Sequence, residues 1–377
     1  MNMNHFRYIP LLTVLATLMA CESSDMPIQH ADSFGYITFS ASTEKTISRS
    51  NSYENYDANK HPKNMGVFES NIYPNGNEKA TYKATTGSWE TNPAKKWDDY
   101  LSKNSFDFFA YMPQTTDAKL EPVNSEGSTA SSSKAYTLSF PFAMTQTSAD
   151  GESGANATET PLIYDEKSAP LICAKPEHKE GTDAEGKEFT FDRVVKLQFD
   201  QTLTAYKLLF KLDPKMGAVR QFHLKNVTLS GELATSCTIA RTYIYDASSK
   251  TWTAGNIDWK DIQRKKFNNF QLINTEETAV VTAADYTPWG EPFYTIPDSK
   301  FSPTLTATYD VEFVAQDSST VVTRKDVTST ILLNKDNFDK LVTTETAIIH
   351  PIRILIQPRY LYVLTDQDAY TGYLLVE

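Results

Sequence analysis

Ala307-Thr308-Tyr309-Asp310-Val311-Glu312-Phe313 alternates apolar and polar residues without a break. A period of two, carried by β-branched and aromatic residues, places one face of a strand in a core and the other in water. The same pattern recurs on either side of it. Toward the C-terminus lies Ile352-Arg353-Ile354-Leu355-Ile356; toward the N-terminus lie Val227-Thr228-Leu229-Ser230, Val195-Lys196-Leu197-Gln198-Phe199, Phe106-Asp107-Phe108-Phe109-Ala110-Tyr111 and Tyr36-Ile37-Thr38-Phe39-Ser40. Helical periodicity is scarce. Its best case, Thr330 to Thr343, mixes Leu332, Leu333, Phe338 and Leu341 with charges and reads as a short helix or a loop. Many short strands without long helices predict an all-β chain of the β-sandwich class, immunoglobulin-like in its layering.

Turn chemistry divides the chain. Asp213-Pro214 followed by Gly217 has strand-like runs on both sides, which predicts an N-terminal β-sandwich domain over 34–213 and a C-terminal one over 214–377. Asn124 to Ala135 and Thr145 to Thr160 are rich in Ser, Thr, Gly and Ala and read as exposed loops. No short internal repeat is present, which argues against a solenoid or propeller.

The first twenty residues have another character. Arg7 precedes an apolar run from Tyr8 to Ala20 that is shorter than the roughly 20 residues a spanning helix needs. A charged start, an apolar middle and small residues before a cut describe a signal peptide over 1–20. The cut falls in Leu18-Met19-Ala20-Cys21, which resembles the bacterial lipobox, with leucine three positions before the cysteine. Cys21 would then carry a diacylglycerol on sulfur and a further acyl chain such as palmitate on its amine. Several buried chains hold a protein on a membrane, because each buried CH₂ contributes about 0.8 kcal/mol. An ordinary secretory signal followed by a chance cysteine is the other reading. Residues 21–33 then form a lipidated tether, in which Glu22-Ser23-Ser24-Asp25 resembles the acidic surface-export signal of Bacteroidetes lipoproteins.

Loss of Arg7 with the signal takes the formal net charge from −11 to −12. That charge disfavours DNA or RNA as a partner, since both need a basic face to displace counterions. Hydrophobic residues make up 40% and the chain holds 20 Tyr and 20 Phe, enough for a packed core rather than disorder. Chemistry is harder to find. The six histidines, at 5, 30, 61, 178, 223 and 350, have no metal-binding spacing, and there is no nucleophile elbow, P-loop or dinucleotide fingerprint. Asp366, Asp368 and Gly372 fall short of a calcium loop and read as a turn. Cys173 and Cys237 could pair in an oxidising compartment, but their positions alone do not bring them together. Trp89, Trp97, Trp252, Trp259 and Trp289 read as core rather than as a sugar-stacking platform. No catalytic residue, metal site or cofactor is predicted.

The order of motifs carries more. The lipobox and the strand Tyr36-Ile37-Thr38-Phe39 are followed by an arginine in a polar stretch, Ile47-Ser48-Arg49-Ser50. Then come Met65-Gly66-Val67-Phe68, Trp89, Trp97, Phe106 to Pro113, Pro161-Leu162-Ile163-Tyr164 and Leu197-Gln198-Phe199. This succession resembles the fimbrillin family of Bacteroidetes, closely through the N-terminal half and loosely beyond it. One departure is Gln201, where members often carry a histidine. The resemblance implies two transthyretin-like β-sandwich domains in tandem and a subunit of a surface fimbria, delivered to the outer membrane by the lipid on Cys21. It further implies proteolysis after Arg49, so that the assembled chain begins at Ser50. The first strand is thereby lost, and a strand from another subunit fills the groove. Tyr360-Leu361-Tyr362-Val363-Leu364 and Tyr370 to Glu377 are strands that could donate or could close the last domain. An anchor subunit would keep lipid and first strand; a stalk or tip subunit would lose both. The alternative function is a surface glycan-binding lipoprotein of the same fold class, with its host or glycan ligand open.

Overall fold

A computed structural model describes residues 35–44, 53–123, 134–144, 169–181, 192–214, 220–271, 279–314, 320–333, 346, 349–357 and 360–364. Within them the chain is all-β, and its sheets pack as sandwich- and barrel-like units. The first eleven strands are β1 Thr38–Glu44, β2 Tyr53–Asn55, β3 Asn64–Phe68, β4 Glu78–Lys83, β5 Ser88–Thr91, β6 Ser105–Met112, β7 Lys119–Pro122, β8 Ala135–Ala143, β9 Leu171–Lys175, β10 Glu177–Glu180 and β11 Val194–Gln201. Nine follow: β12 Thr204–Leu212, β13 Arg220–Asp246, β14 Thr251–Gln271, β15 Ala279–Val281, β16 Thr287–Thr295, β17 Thr304–Val314, β18 Thr320–Leu332, β19 Ile349–Gln357 and β20 Tyr360–Leu364.

The expected helix or loop at Thr330 begins instead as the end of a strand. Thr330, Ile331 and Leu332 pair with Thr306, Leu305 and Thr304 of β17. Ile331 and Leu333 are buried on alternate positions, so the local apolar cluster follows a period of two. Residues 334–345 lie outside the described set, as do most of the two polar stretches, 124–133 and 145–160.

The N-terminal strands close on themselves. Hydrogen bonding runs β6-β3-β4-β5-β1-β11-β9 and returns from β9 to β6 through Tyr111↔Ile172 and Met112↔Leu171. A closed ring of this kind leaves no strand edge unpaired along its path. A four-stranded sheet has the order β16-β12-β19-β20, and a seven-stranded one is built on β18-β17-β13-β8-β7 with β14 and β15 also on β13. The backbone of that last sheet is β13, 27 residues long. One end pairs with β17, while residues 236–244 pair with β8. Hydrogen bonding therefore crosses from chain after Asp213 to chain well before it. Gly231, at φ +126°, sits at a register shift along β13, a conformation that any side chain would strain.

Aromatic residues fill the ring. Trp97 meets Phe106 edge-on at 5.3 Å, Phe39 meets Phe108 at 5.9 Å, and Tyr56 meets Trp89 at 5.1 Å. The indole N–H of Trp97 donates to Arg193 O at 2.9 Å, which satisfies its one polar atom. After Phe68 the chain turns over a buried carboxylate. Glu69 Oε2 accepts from Ile72 N at 2.6 Å and Glu69 Oε1 from Asn71 Nδ2 at 3.3 Å. Burial outweighs these bonds and lifts the Glu69 carboxyl from 4.5 to about 7. The native chain then holds a proton that the unfolded chain releases near pH 4.5, so stability falls as pH rises between these values. A gap of this size amounts to about 3 kcal/mol. Glu69→Gln is expected to flatten the change in urea midpoint between pH 4.5 and 7. An unchanged slope in that variant would place its origin elsewhere.

Candidate functional site at the first strand

β1 occupies one position in the closed ring, and both its edges are used. On one side it runs parallel to β11, from Thr38↔Val194 to Thr43↔Phe199. On the other it pairs with β5 at Phe39↔Trp89 and with β2 from Ser42↔Asn55 to Glu44↔Tyr53. Flanking bonds extend this second side: Ile37 N donates to Lys95 O at 2.8 Å and Tyr56 N to Ala41 O at 3.2 Å. The alternation of its sequence decides which residues plug the barrel. Ile37, Phe39 and Thr43 are 1%, 0% and 1% exposed, whereas Thr38, Ser40 and Ser42 are half-buried on the outer face. Lifting out this strand would uncover the apolar lining around Phe39 and a row of N–H and C=O groups along β11. The lining is costly in contact with water and the backbone groups are costly when shielded from it without partners, and a strand of matching alternation answers both.

Polar contacts fasten what surrounds β1. Tyr53 OH donates to Asp200 Oδ1 on β11 at 2.6 Å, and Arg241 Nη1 of β13 donates to Asp200 Oδ2 at 2.6 Å. Arg241 Nη1 also reaches Cys173 O at 3.3 Å, and Tyr243 OH donates to that same carbonyl at 2.6 Å. A second junction has Asp107 at its centre, accepting from Trp252 Nε1 at 2.8 Å and lying 2.7 Å from His178 Nδ1, with Tyr245 OH 3.2 Å from His178 Nε2. Burial pushes the Tyr245 phenol up, away from the phenolate a nucleophile would need. Both junctions bind the β13–β14 hairpin to the barrel. Sequence reading missed Asp200, Arg241 and Asp107, since nothing in a single sequence pairs residues so far apart.

His61 lies beneath the end of β1. It is 5% exposed, and its Nε2 is 3.4 Å from Thr43 Oγ1. Burial lowers its pKa below the usual value of 6.5; the nearby Asp57 carboxylate acts in the opposite direction.

The expected processing residues Arg49 and Ser50 fall in 45–52, the connection from β1 to β2, outside the described residues. Cys21 also lies outside them, with Asp366, Asp368, Gly372 and the tail from Tyr370. The tryptophans are core, as expected: Trp89, Trp97, Trp252 and Trp289 are buried, and Trp259 is half-buried with its N–H on Thr202 O at 2.9 Å. Cys173 and Cys237 are buried free thiols, each pushed up by burial to about 12 and so held unreactive. Among the described residues no three His, Cys, Asp or Glu side chains cluster to hold a metal ion.

No family model matches this chain, and no curated protein matches it. Among solved structures it is similar to a fimbrial protein from Bacteroides vulgatus ATCC 8482, with 14% identity and a TM-score of 0.42 over 89% of this chain and all of that one. It is also similar to the fimbrial anchor protein from Porphyromonas gingivalis, with 11% identity and a TM-score of 0.32 over 90% of this chain and 99% of that one. Both overlays stay below a TM-score of 0.5, so the functional reading stands on the seat of β1 and on the order of motifs in the sequence.

Proposed function

We propose that the chain is a subunit of a Bacteroidetes cell-surface fimbria, exported as a lipoprotein on Cys21 and assembled by strand exchange at the seat of β1. The observation that carries this reading is that β1 is bonded along both edges and plugs a closed barrel with Ile37 and Phe39. A cut after Arg49 would sever β1 from β2 and leave β2 with the body. The vacated seat has the hydrogen-bonding row and apolar lining that a strand from another subunit would satisfy. Domains over 34–213 and 214–377 then form the body, tied together by the β13–β14 hairpin. The lipid on Cys21 acts as a delivery handle to the outer surface. It stays on an anchor subunit and leaves with β1 in a stalk or tip subunit.

The rival reading, a glycan-binding surface lipoprotein, needs an exposed aromatic platform. Among the described residues the exposed large hydrophobics are Tyr36, Val123, Ile244 and Val280, and no tryptophan is among them.

N-terminal sequencing of the surface-assembled protein tests the proposal. Chains in the polymer are expected to begin at Ser50 without lipid, and Arg49→Ala is expected to abolish polymer. Normal fimbriae in that variant would rule out the site. Surface protein that begins only at acylated Cys21, with no polymer, would rule out the stalk role.

A further inference from the structure

The seat of β1 contains a buried histidine that hydrogen bonding leaves half satisfied. His61 Nε2 faces Thr43 Oγ1 of β1 at the long end of the hydrogen-bond range. His61 Nδ1 is buried and has no hydrogen-bond partner among the described residues. The ring lies against Tyr56, 5.4 Å between centroids, and Tyr56 is backed in turn by Tyr82 and Trp89. The Tyr56 phenol donates to Pro62 O, and the turn that carries the histidine is closed by His61 N on Asp57 O. His61 therefore touches both β1 and the chain that continues β2, the two pieces on either side of the 45–52 connection.

A neutral imidazole suits this place. One nitrogen can share a proton with the Thr43 hydroxyl, and the other is tolerated as an unprotonated acceptor in an aromatic pocket. A proton added to the ring gives both nitrogens an N–H and the ring a full charge. One of those N–H groups then lacks an acceptor, and a buried, partly unpaired charge is costly. Among the described side chains the charged groups acting on the ring are Glu54 and Asp57, which favour the cation, and Lys60, which opposes it, while β1 presents the Thr43 hydroxyl. Burial is the largest influence and favours the neutral ring.

We infer that His61 is a proton-operated latch on β1: protonation of its ring loosens β1 and β2 from the barrel, so that mild acid favours opening of the seat. The use of this opening in assembly rests on the strand-exchange reading above; the opening itself does not. Its sign follows from the lowered native pKa. The latch is fully closed above the unfolded value of 6.5 and weakens as pH falls through the native one. Each unit of depression favours the open state about tenfold once pH lies below both values.

Hydrogen exchange of the intact chain at pH 7.5 and 5.5, corrected for intrinsic rates, reads the opening strand by strand. Amides of 38–44 and 53–56 are expected to open more often at pH 5.5, by at most about tenfold because that pH lies one unit below the unfolded value, with those of β13 and β17 unchanged. His61→Phe is expected to remove the difference; His61→Gln serves if the larger ring does not fit. A rise that persists in the folded variant overturns the latch, as does a rise spread equally over β13 and β17. Glu69 contributes to stability in the opposite sense over this range, and the amides of β13 and β17 separate local opening from general loosening. Absence of polymer at any pH, with local opening intact, would remove strand exchange and leave the latch standing. Polymer at both pH values without local opening would do the reverse.

Discussion

Phe39→Ala is expected to lower the unfolding free energy of the intact chain by about 3–5 kcal/mol, the usual range for a fully buried phenylalanine. Phe39 is 0% exposed, sits edge-on to Phe108 and pairs across the ladder with Trp89. That pair is the whole of the β1–β5 ladder, so the cavity would open where the ring of strands is thinnest. Little nearby can move to fill it, because Trp89 is itself held by Tyr56 and Tyr82. Ser40→Ala, one position along on the outer face, is expected to change stability by less than about 0.5 kcal/mol. Urea unfolding at pH 7.5 separates the two. A loss below about 1 kcal/mol at Phe39 would mean that the barrel is sealed without β1. A domain has only about 5–15 kcal/mol in total, so the larger loss would also raise the population of chains with β1 displaced.

Strand content was legible in the sequence because burial of one sheet face leaves a local mark. Val195, Leu197 and Phe199 are buried while Lys196 and Gln198 between them are not, and Ile352, Ile354 and Ile356 are buried with Arg353 and Leu355 half-buried between them. The mark fades where both faces are covered. From Phe108 onward β6 is buried at every position, since Phe109 packs on Tyr243 and Trp252 of the hairpin while Tyr111 stacks on Phe140. At Thr330 the apolar cluster looked compatible with a helical face, and pairing with β17 decided otherwise.

Partners in the sheets were less legible than the strands. Val227 to Ser230 was visible as a strand, yet β13 runs for 27 residues, and register shifts after Leu224, Leu229 and Ala234 break its alternation into short pieces. Nothing local announces that β8 pairs with β13, or that β1 lies parallel to β11. The seat of β1 was foreseeable only through the family resemblance, which placed a removable strand before Arg49. In the sequence His61 shows only a lack of metal spacing, since its contact with Thr43 exists only once β1 is in place.

Arg241→Ala is expected to cost about 3–5 kcal/mol, because it leaves the Asp200 carboxylate without its cation in a half-dry junction. The side chains of Arg241 and Asp200 are 11% and 14% exposed, so water can compensate only in part. The arginine also supplies donors to Cys173 O and Gly255 O. A surface ion pair lost in this way would cost less than about 1 kcal/mol, so urea unfolding at neutral pH distinguishes the two situations. Asp200→Asn in the Arg241→Ala background removes the stranded charge and keeps an acceptor for Tyr53 OH. The double variant is therefore expected to be more stable than Arg241→Ala alone, with a coupling energy of about 2 kcal/mol, within the range for residues in contact. Additive losses would show that Arg241 acts through its bonds to Cys173 O and Gly255 O instead. Since Tyr53 shares Asp200, the charge pair also orders β2, the strand that would remain beside the seat once β1 has left. Loss of Arg241 should accordingly loosen the seat from the body side, whereas Phe39→Ala loosens it from the side of the strand that leaves.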